Sequence, residues 1–211
     1  MMQSILTVTT AASTYDLTTL ANVKAELGIT RGSNDATLKR YISSASAAVS
    51  QYCNRVFPSE TLSENFIPSR RDRFVRGDVE PLQLARCPLT AVPSVTEDGM
   101  TLTIDNDYLA DNTFGQLTRI NDDGFPRNWL NAPIVVEYSA GFATIPSDVE
   151  DAVIRMVTAR YLSKGRDKSL KQESIPGVIE RQWWIATGTE AGNMTPDITD
   201  ILDNYRLPVT A

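Results

Sequence analysis

Apolar residues recur at helical spacing in two places near the start of the chain. Leu20, Val23 and Leu27 stand at i, i+3 and i+7 within residues 18–27, Lys24 lies off that stripe, and Gly28 follows as a C-terminal stop. A longer stripe follows a break at residues 31–35: Leu38, Tyr41, Ile42, Ala45, Ala48, Val49 and Tyr52, with Lys39, Arg40, Ser43, Ser44 and Ser50 on the other faces. The small side chains at residues 43–48 allow close approach of another helix. The stretch at residues 7–15 reads as a polar lead. Between residues 57 and 138 the pattern changes to short β-prone runs cut by prolines. It predicts strands at 62–67, 73–76, 82–85, 94–97, 100–104, 108–110, 116–120 and 134–138. Glu97-Asp98-Gly99 marks a tight hairpin turn.

Helical spacing returns after Pro146. Ser147-Asp148-Val149-Glu150 fits a capping box, in which the serine side chain and the glutamate satisfy first-turn amides reciprocally. Val149, Ala152, Val153, Met156, Val157 and Tyr161 form the apolar stripe, and the helix is expected to stop near residues 163–165. Residues 164–181 are polar and weakly periodic, with five basic against three acidic side chains, and read as a mobile basic loop. Trp183 and Trp184 stand next to a stretch of flexible composition. A short last helix begins near Pro196, capped by Thr195, and carries Ile198, Ile201, Leu202 and Tyr205.

The expected fold is therefore α+β, a small α-helical bundle with an inserted β-rich module and an extended C-terminal tail. The division is 1–56 as the first part of the helical core, 57–140 as the insertion, 141–182 as the second part with the basic loop, and 183–211 as a tail. A chain of 211 residues with 42% hydrophobic and 22% charged residues has the composition of a globular protein. No apolar run approaches the ~18 residues of a membrane span, and the start has neither a basic nor a continuous apolar region of a secretory signal. The expected site of synthesis is the cytosol.

Composition removes most catalytic readings. There is no histidine, which excludes Ser-His-Asp and Cys-His nucleophile systems and His-ligated zinc. Cys53 and Cys87 lie far apart without CxxC spacing. Asp105-Asn106-Asp107 with Asp111, and Asn121-Asp122-Asp123-Gly124, are oxygen-rich but lack the EF-hand pattern, so they read as solvated turns. Gly165-Arg166-Asp167-Lys168-Ser169 lacks the first glycine and the Gly-Lys pair of a phosphate loop. No catalytic, metal or cofactor site is expected. Twenty Lys+Arg against 26 Asp+Glu give a net charge of −6, which disfavours DNA binding through a general basic surface. The densest basic cluster is Arg70, Arg71, Arg73 and Arg76, and arginine suits polar interfaces and phosphate contacts.

The order of segments carries a resemblance. Leu17-Thr18-Thr19-Leu20, Asn22-Val23-Lys24 and Leu27-Gly28 lead into the Asp35–Leu38–Ile42–Ala45 helix and Tyr52-Cys53-Asn54-Arg55. Pro88-Leu89, Pro93-Ser94-Val95 and Asp98-Gly99 follow, then Val136-Glu137-Tyr138-Ser139-Ala140-Gly141-Phe142, the Ile145-Pro146 helix start and Leu202-Asp203-Asn204-Tyr205-Arg206. This succession resembles the head-to-tail connector (adaptor) proteins of tailed bacteriophages, the ring beneath the portal. The resemblance implies a homo-oligomeric ring of about twelve copies around a DNA passage. Its partners are the portal protein above, a stopper or tail-completion protein below, and genomic DNA that passes without sequence-specific binding. It implies no membrane partner, no cofactor and no enzymatic activity. It places the protein in the virion neck, assembled in the host bacterial cytoplasm. For portal docking we single out Trp183, Trp184, Leu202, Tyr205 and Arg206. For subunit or lumen contacts we single out Arg70, Arg71, Arg73, Arg76, Lys164, Arg166, Lys168 and Lys171. Two other readings are a monomeric intracellular protein-binding module without a phage role, and an enzyme built on a carboxylate pair or a metal.

Overall fold

A computed structural model describes residues 3–68, 80–164, 172–175, 179–182 and 194–208. The chain divides into two compact units, one formed by residues 1–14 and 56–144 and the other by residues 15–55 and 145–211. The first is all β among its described residues. Its strands are β1 (Gln3–Thr10), β2 (Glu60–Ile67), β3 (Leu82–Gln83), β4 (Ser94–Glu97), β5 (Met100–Leu102), β6 (Tyr108–Asp111), β7 (Gln116–Arg119) and β8 (Ile134–Ala140). They form a five-stranded antiparallel sheet in the order β1-β2-β8-β4-β5 and a three-stranded one in the order β3-β7-β6.

Period-two burial explains the pairing. Leu62 and Phe66 of β2, and Ile134, Val136 and Tyr138 of β8, point to one face. They share a core with Leu82, Tyr108 and Leu117 from the smaller sheet. The β4–β5 hairpin turns at Asp98 and Gly99, both with positive φ (50° and 78°), as the Asp-Gly signal requires. The phrase that ends β8 has a steric reason as well. Gly141 has φ 118°, and a Cβ there would lie 2.4 Å from the Pro58 carbonyl oxygen. That close approach lets Phe142 N donate to Phe57 O (2.7 Å) and stacks the two phenylalanine rings 5.9 Å apart.

Two expectations change in this unit. Residues 7–10 of the polar lead are instead the end of strand β1, whose residues are exposed except for half-buried Leu6. A strand exposed on both faces leaves no alternation for the sequence to show. The β unit thus begins before the first helix, and is more than an insertion at residues 57–140. The strand expected at 73–76 lies outside the described residues.

The second unit holds α1 (Leu20–Leu27), α2 (Asp35–Tyr52), α3 (Ser147–Leu162), a hairpin of β9 (Gln172–Ile175) and β10 (Ile179–Gln182), and α4 (Pro196–Leu202), which runs on into a 3-10 turn (Asp203–Tyr205). Thr19 caps α1 by accepting from Asn22 N (3.2 Å), and Gly28 in the left-handed region closes it. Val23, Leu38, Ile42, Val49, Val153 and Val157 are all at most 2% exposed and form the helical core. Buried Ser46 in mid-helix is satisfied by Leu17 N (2.9 Å).

The capping box is not formed. Helix α3 is preceded by Pro146 without a side-chain cap, and Glu150 turns away from Ser147. Its Oε1 accepts from Thr18 Oγ1 (2.9 Å) and Asn22 Nδ2 (2.7 Å), stitching α3 to the start of α1. Two long-range donors outcompete one local amide. The stretch expected to be a basic loop contains the paired strands β9 and β10.

Candidate interaction surfaces

The residues singled out from the sequence separate into four groups, of which half-buried Tyr205 is one. Arg70, Arg71, Arg73, Arg76, Arg166, Lys168, Lys171, Trp183 and Trp184 lie outside the described residues. Lys164 and Arg206 are exposed. Leu202 is corrected: it is fully buried, a core residue of its own unit rather than an anchor offered to a partner. The apolar stripe of α4 was real, but the helix spends it on α3 and the end of α2. Ile198 is buried beside it, the Leu202 carbonyl accepts from Cys53 Sγ (3.6 Å), and Leu207 N donates to Cys53 O (2.9 Å).

Polar contacts pin the same segment. Tyr205 Oη donates to the Asp148 carboxylate (2.9 Å to either oxygen), and Tyr52 Oη donates to Asp203 (2.7 Å). Burial, then the Asp148 bond, raises the Tyr205 pKa, while the Asp203 bond leads in raising that of Tyr52. Burial pushes the Cys53 thiol up to about 11, which makes it a poor nucleophile. Arg206 lies over the Tyr52 ring at 5.3 Å, with its guanidinium still open to solvent.

In the β unit, buried charge serves to hold loops. Glu97 and Arg119 pair at 3.1 Å with side chains 2% and 9% exposed. The second Glu97 oxygen accepts from Leu130 N (2.8 Å), and Arg119 also donates to the carbonyls of Asp107 and Ile120. Asn121 closes the neighbouring turn by accepting from Phe125 N (2.8 Å). These bonds fix a loop that exposes Phe125 (68%) and Leu130 (42%). Sequence periodicity missed this pair, since Phe125 belongs to no stripe; the only signal was an aromatic residue between a glycine and a proline in a turn. Fully buried Glu64 accepts from Tyr138 Oη (2.9 Å) and Ala85 N (3.0 Å), and burial together with Glu64 raises the Tyr138 pKa.

The acidic clusters work as turn residues. Asp111 accepts from Thr113 N and Phe114 N, and Asp107 from Thr103 N, the bond that leads in lowering the Asp107 pKa. Among the described residues no three His, Cys, Asp or Glu side chains converge to hold a metal ion. No helix there is long and apolar enough to cross a membrane.

The net charge is sorted between the units. The β unit has 13 acidic residues against seven arginines and no lysine, while the helical unit has 13 of each sign. Among the described residues of the β unit only Arg86, Arg119 and Arg127 are basic, and all three are buried or half-buried.

A family model described as "Head completion protein" matches residues 16–207. No curated protein matches the chain in sequence. Among solved structures, a chain from the neck of an empty gene transfer agent (GTA) particle computed with C6 symmetry covers 98% of this chain and 97% of its own length, at 15% identity and TM-score 0.54. A chain from the virion of the native particle matches at 17% identity, and one from the native neck computed with C12 symmetry at 15%, with the same coverage and TM-score. At that identity the likeness is one of fold.

Proposed function

Since the chain belongs to the head completion protein family, we propose that it is a structural subunit of the neck of a tailed-phage particle. In this reading about twelve copies close into a ring between the portal and the stopper or tail-completion protein, and genomic DNA passes through. The observation that carries the reading is the full-length likeness: both units, not one, match chains of phage-like particles whose necks are described with C6 and C12 symmetry.

The chemistry of the chain supports a contact-making role. Its perturbed groups are spent on holding segments together: Tyr205 on Asp148, Tyr52 on Asp203, Tyr138 on Glu64 and Asp107 on Thr103. None of these arrangements sets a nucleophile against a base. A cyclic ring needs two unlike faces on every copy, and the acidic β unit and balanced helical unit supply unlike surfaces. Portal docking is assigned to Trp183, Trp184 and Arg206, with Tyr205 holding the base of that segment. Subunit or lumen contacts are assigned to Arg70, Arg71, Arg73, Arg76, Lys164, Arg166, Lys168 and Lys171.

The test is electron microscopy of the purified chain mixed with portal particles from its own phage. The expected result is an added ring layer with cyclic symmetry, lost when Trp183, Trp184 and Arg206 are replaced by alanine. Portal particles that remain bare at saturating protein, or a substrate turned over by the monomer, overturn the reading.

A further inference from the structure

The two sheets of the β unit differ in how their edges end. The outer edge of β5 is three residues long and is closed by the turn that follows: Thr103 N donates to the Asp107 carboxylate and Asp107 N donates to Thr103 O, both at 2.8 Å. In the smaller sheet β3 has two residues, and β6 carries Asp111 and is bridged at Tyr108 by Ile104. These are the means by which proteins blunt an edge, namely shortness, charge and a covering turn. Strand β1 has none of them along most of its length. It runs for eight residues without a charge or a proline, and among the described residues it pairs only with β2. A single register shift between Val8 and Thr10 leaves Gln3–Val8 regular. Ile5 and Val8 are 50% and 44% exposed, on opposite faces.

The charge distribution says what can approach that edge. Exposed acidic side chains at Asp98, Asp105, Asp111, Asp122 and Asp123 cover the turns of the β unit, so a second copy is repelled from them. The β1–β2 side carries Gln3, Ile5, Thr7, Thr61, Ser63 and Asn65 on its outer face and no charge. Among the described residues, no charge on this side opposes the approach of a second copy. We propose that β1 is the docking edge for β1 of a second copy of this chain in the free subunit. The strands run antiparallel about a two-fold axis normal to the sheet and join two five-stranded sheets into one of ten strands.

With a single open edge among the described residues of each copy, this contact closes at two molecules and does not grow into a fibre. A strand pair alone buries less than the ~1,200 Å² of a stable complex, so the dimer is weak and dissociates on dilution. Neighbours in a cyclic ring are related by rotation about the ring axis, so entry into the ring releases the β1 pair. The dimer is a soluble store that covers the edge until then.

Sedimentation equilibrium of the full chain tests this, together with a nitroxide label at Thr7→Cys; Cys53 and Cys87 are buried and stay unlabelled. The mass is expected to rise from 23.3 kDa toward twice that value as concentration increases. Antiparallel pairing brings the two labels within about 15 Å, from strand and residue spacings, and broadens the spectrum. Ile5→Lys with Val8→Lys should give a monomer with unchanged melting, while Leu109→Lys on the exposed face of β6 should leave the dimer intact. A wild-type chain that stays monomeric throughout, a dimer indifferent to the two lysines, or unbroadened labels in the dimer overturn the proposal. If the lysine variant does not fold, the label decides. Addition of rings to portal particles is scored separately, so a monomeric chain that still forms rings refutes the β1 pair and leaves the neck reading standing.

Discussion

Leu202→Ala separates a core role from a docking role. The side chain is fully buried, and truncation removes three carbon atoms from the contact of α4 with the helical core. Leucine-to-alanine changes at such sites cost about 2–5 kcal/mol, because the transfer term and the residual cavity add. Neighbours here are held in place by Cys53–Leu202, Leu207–Cys53 and Tyr205–Asp148 bonds, so the site collapses little and the upper half of that range applies. In a unit of roughly 100 residues, 1 kcal/mol moves the midpoint by about 4–8 °C, so the expected fall in Tm exceeds about 10 °C. Far-UV circular dichroism melts give the midpoint, and co-sedimentation with portal particles well below it gives docking. Docking should persist in the folded variant. Arg206→Glu should do the reverse, weakening docking while losing at most the ~0.5–1 kcal/mol of an exposed cation–π contact with Tyr52. A Leu202→Ala chain that melts within about 3 °C of wild type yet no longer binds the portal refutes the core assignment. The same geometry warns against truncation before Trp183 as a docking test, since it also deletes α4 and unfolds what it is meant to probe.

Arg119→Met should cost about 3 kcal/mol by urea midpoint, since it leaves the buried Glu97 carboxylate with only Leu130 N and the more distant Arg127 guanidinium (4.0 Å), and Glu97→Leu with Arg119→Met should recover much of the loss. A double variant as unstable as the sum of the singles contradicts that account. Stability should also fall as pH rises above 9–10. Tyr52, Tyr108, Tyr138, Tyr205 and Cys53 all have pKa values raised on folding, so the unfolded chain releases these protons first and gains from rising pH, Cys53 from about pH 9 to its folded value of about 11. Urea midpoints between pH 8 and 11 that stay level or increase contradict it.

The helices were legible because their faces are one-sided. Leu38, Tyr41, Ile42, Ala45 and Val49 are buried as their spacing implies, and Gly28 stops α1 where a left-handed residue is required. The β6–β7 region was legible from its short β-prone runs, and the Asp98-Gly99 turn from the φ values it demands. What the sequence did not reveal depends on competition between partners. Glu150 could reach the α3 amides or Thr18 and Asn22, and only the packing of α1 against α3 decides. Leu202 could face a partner or its own core; an amphipathic stripe specifies burial but not by whom. Strand β1 was hidden because it buries almost nothing, and the Phe125 loop because its order comes from Glu97 and Arg119, distant in sequence from the residues they fix.

The sorting of charge sharpens the electrostatic argument from sequence. Spread evenly, −6 per chain repels DNA only weakly at any one point, because exposed charges are screened beyond about 8–10 Å at physiological salt. Confined to the β unit and to its turns, the same charge acts over a small area, with no lysine in that unit and its described arginines at least half-buried. The balanced helical unit carries no net charge of its own. If the β unit lines the passage, Asp122→Lys, Asp123→Lys and Glu137→Lys, three exposed changes that bring that unit from −6 to zero, should make assembled rings retain DNA at low salt where wild-type rings do not. Retention that is equal for both places the β unit away from the DNA. In that event the basic positions of the helical unit, Lys164 among the exposed ones, are the side chains that DNA meets.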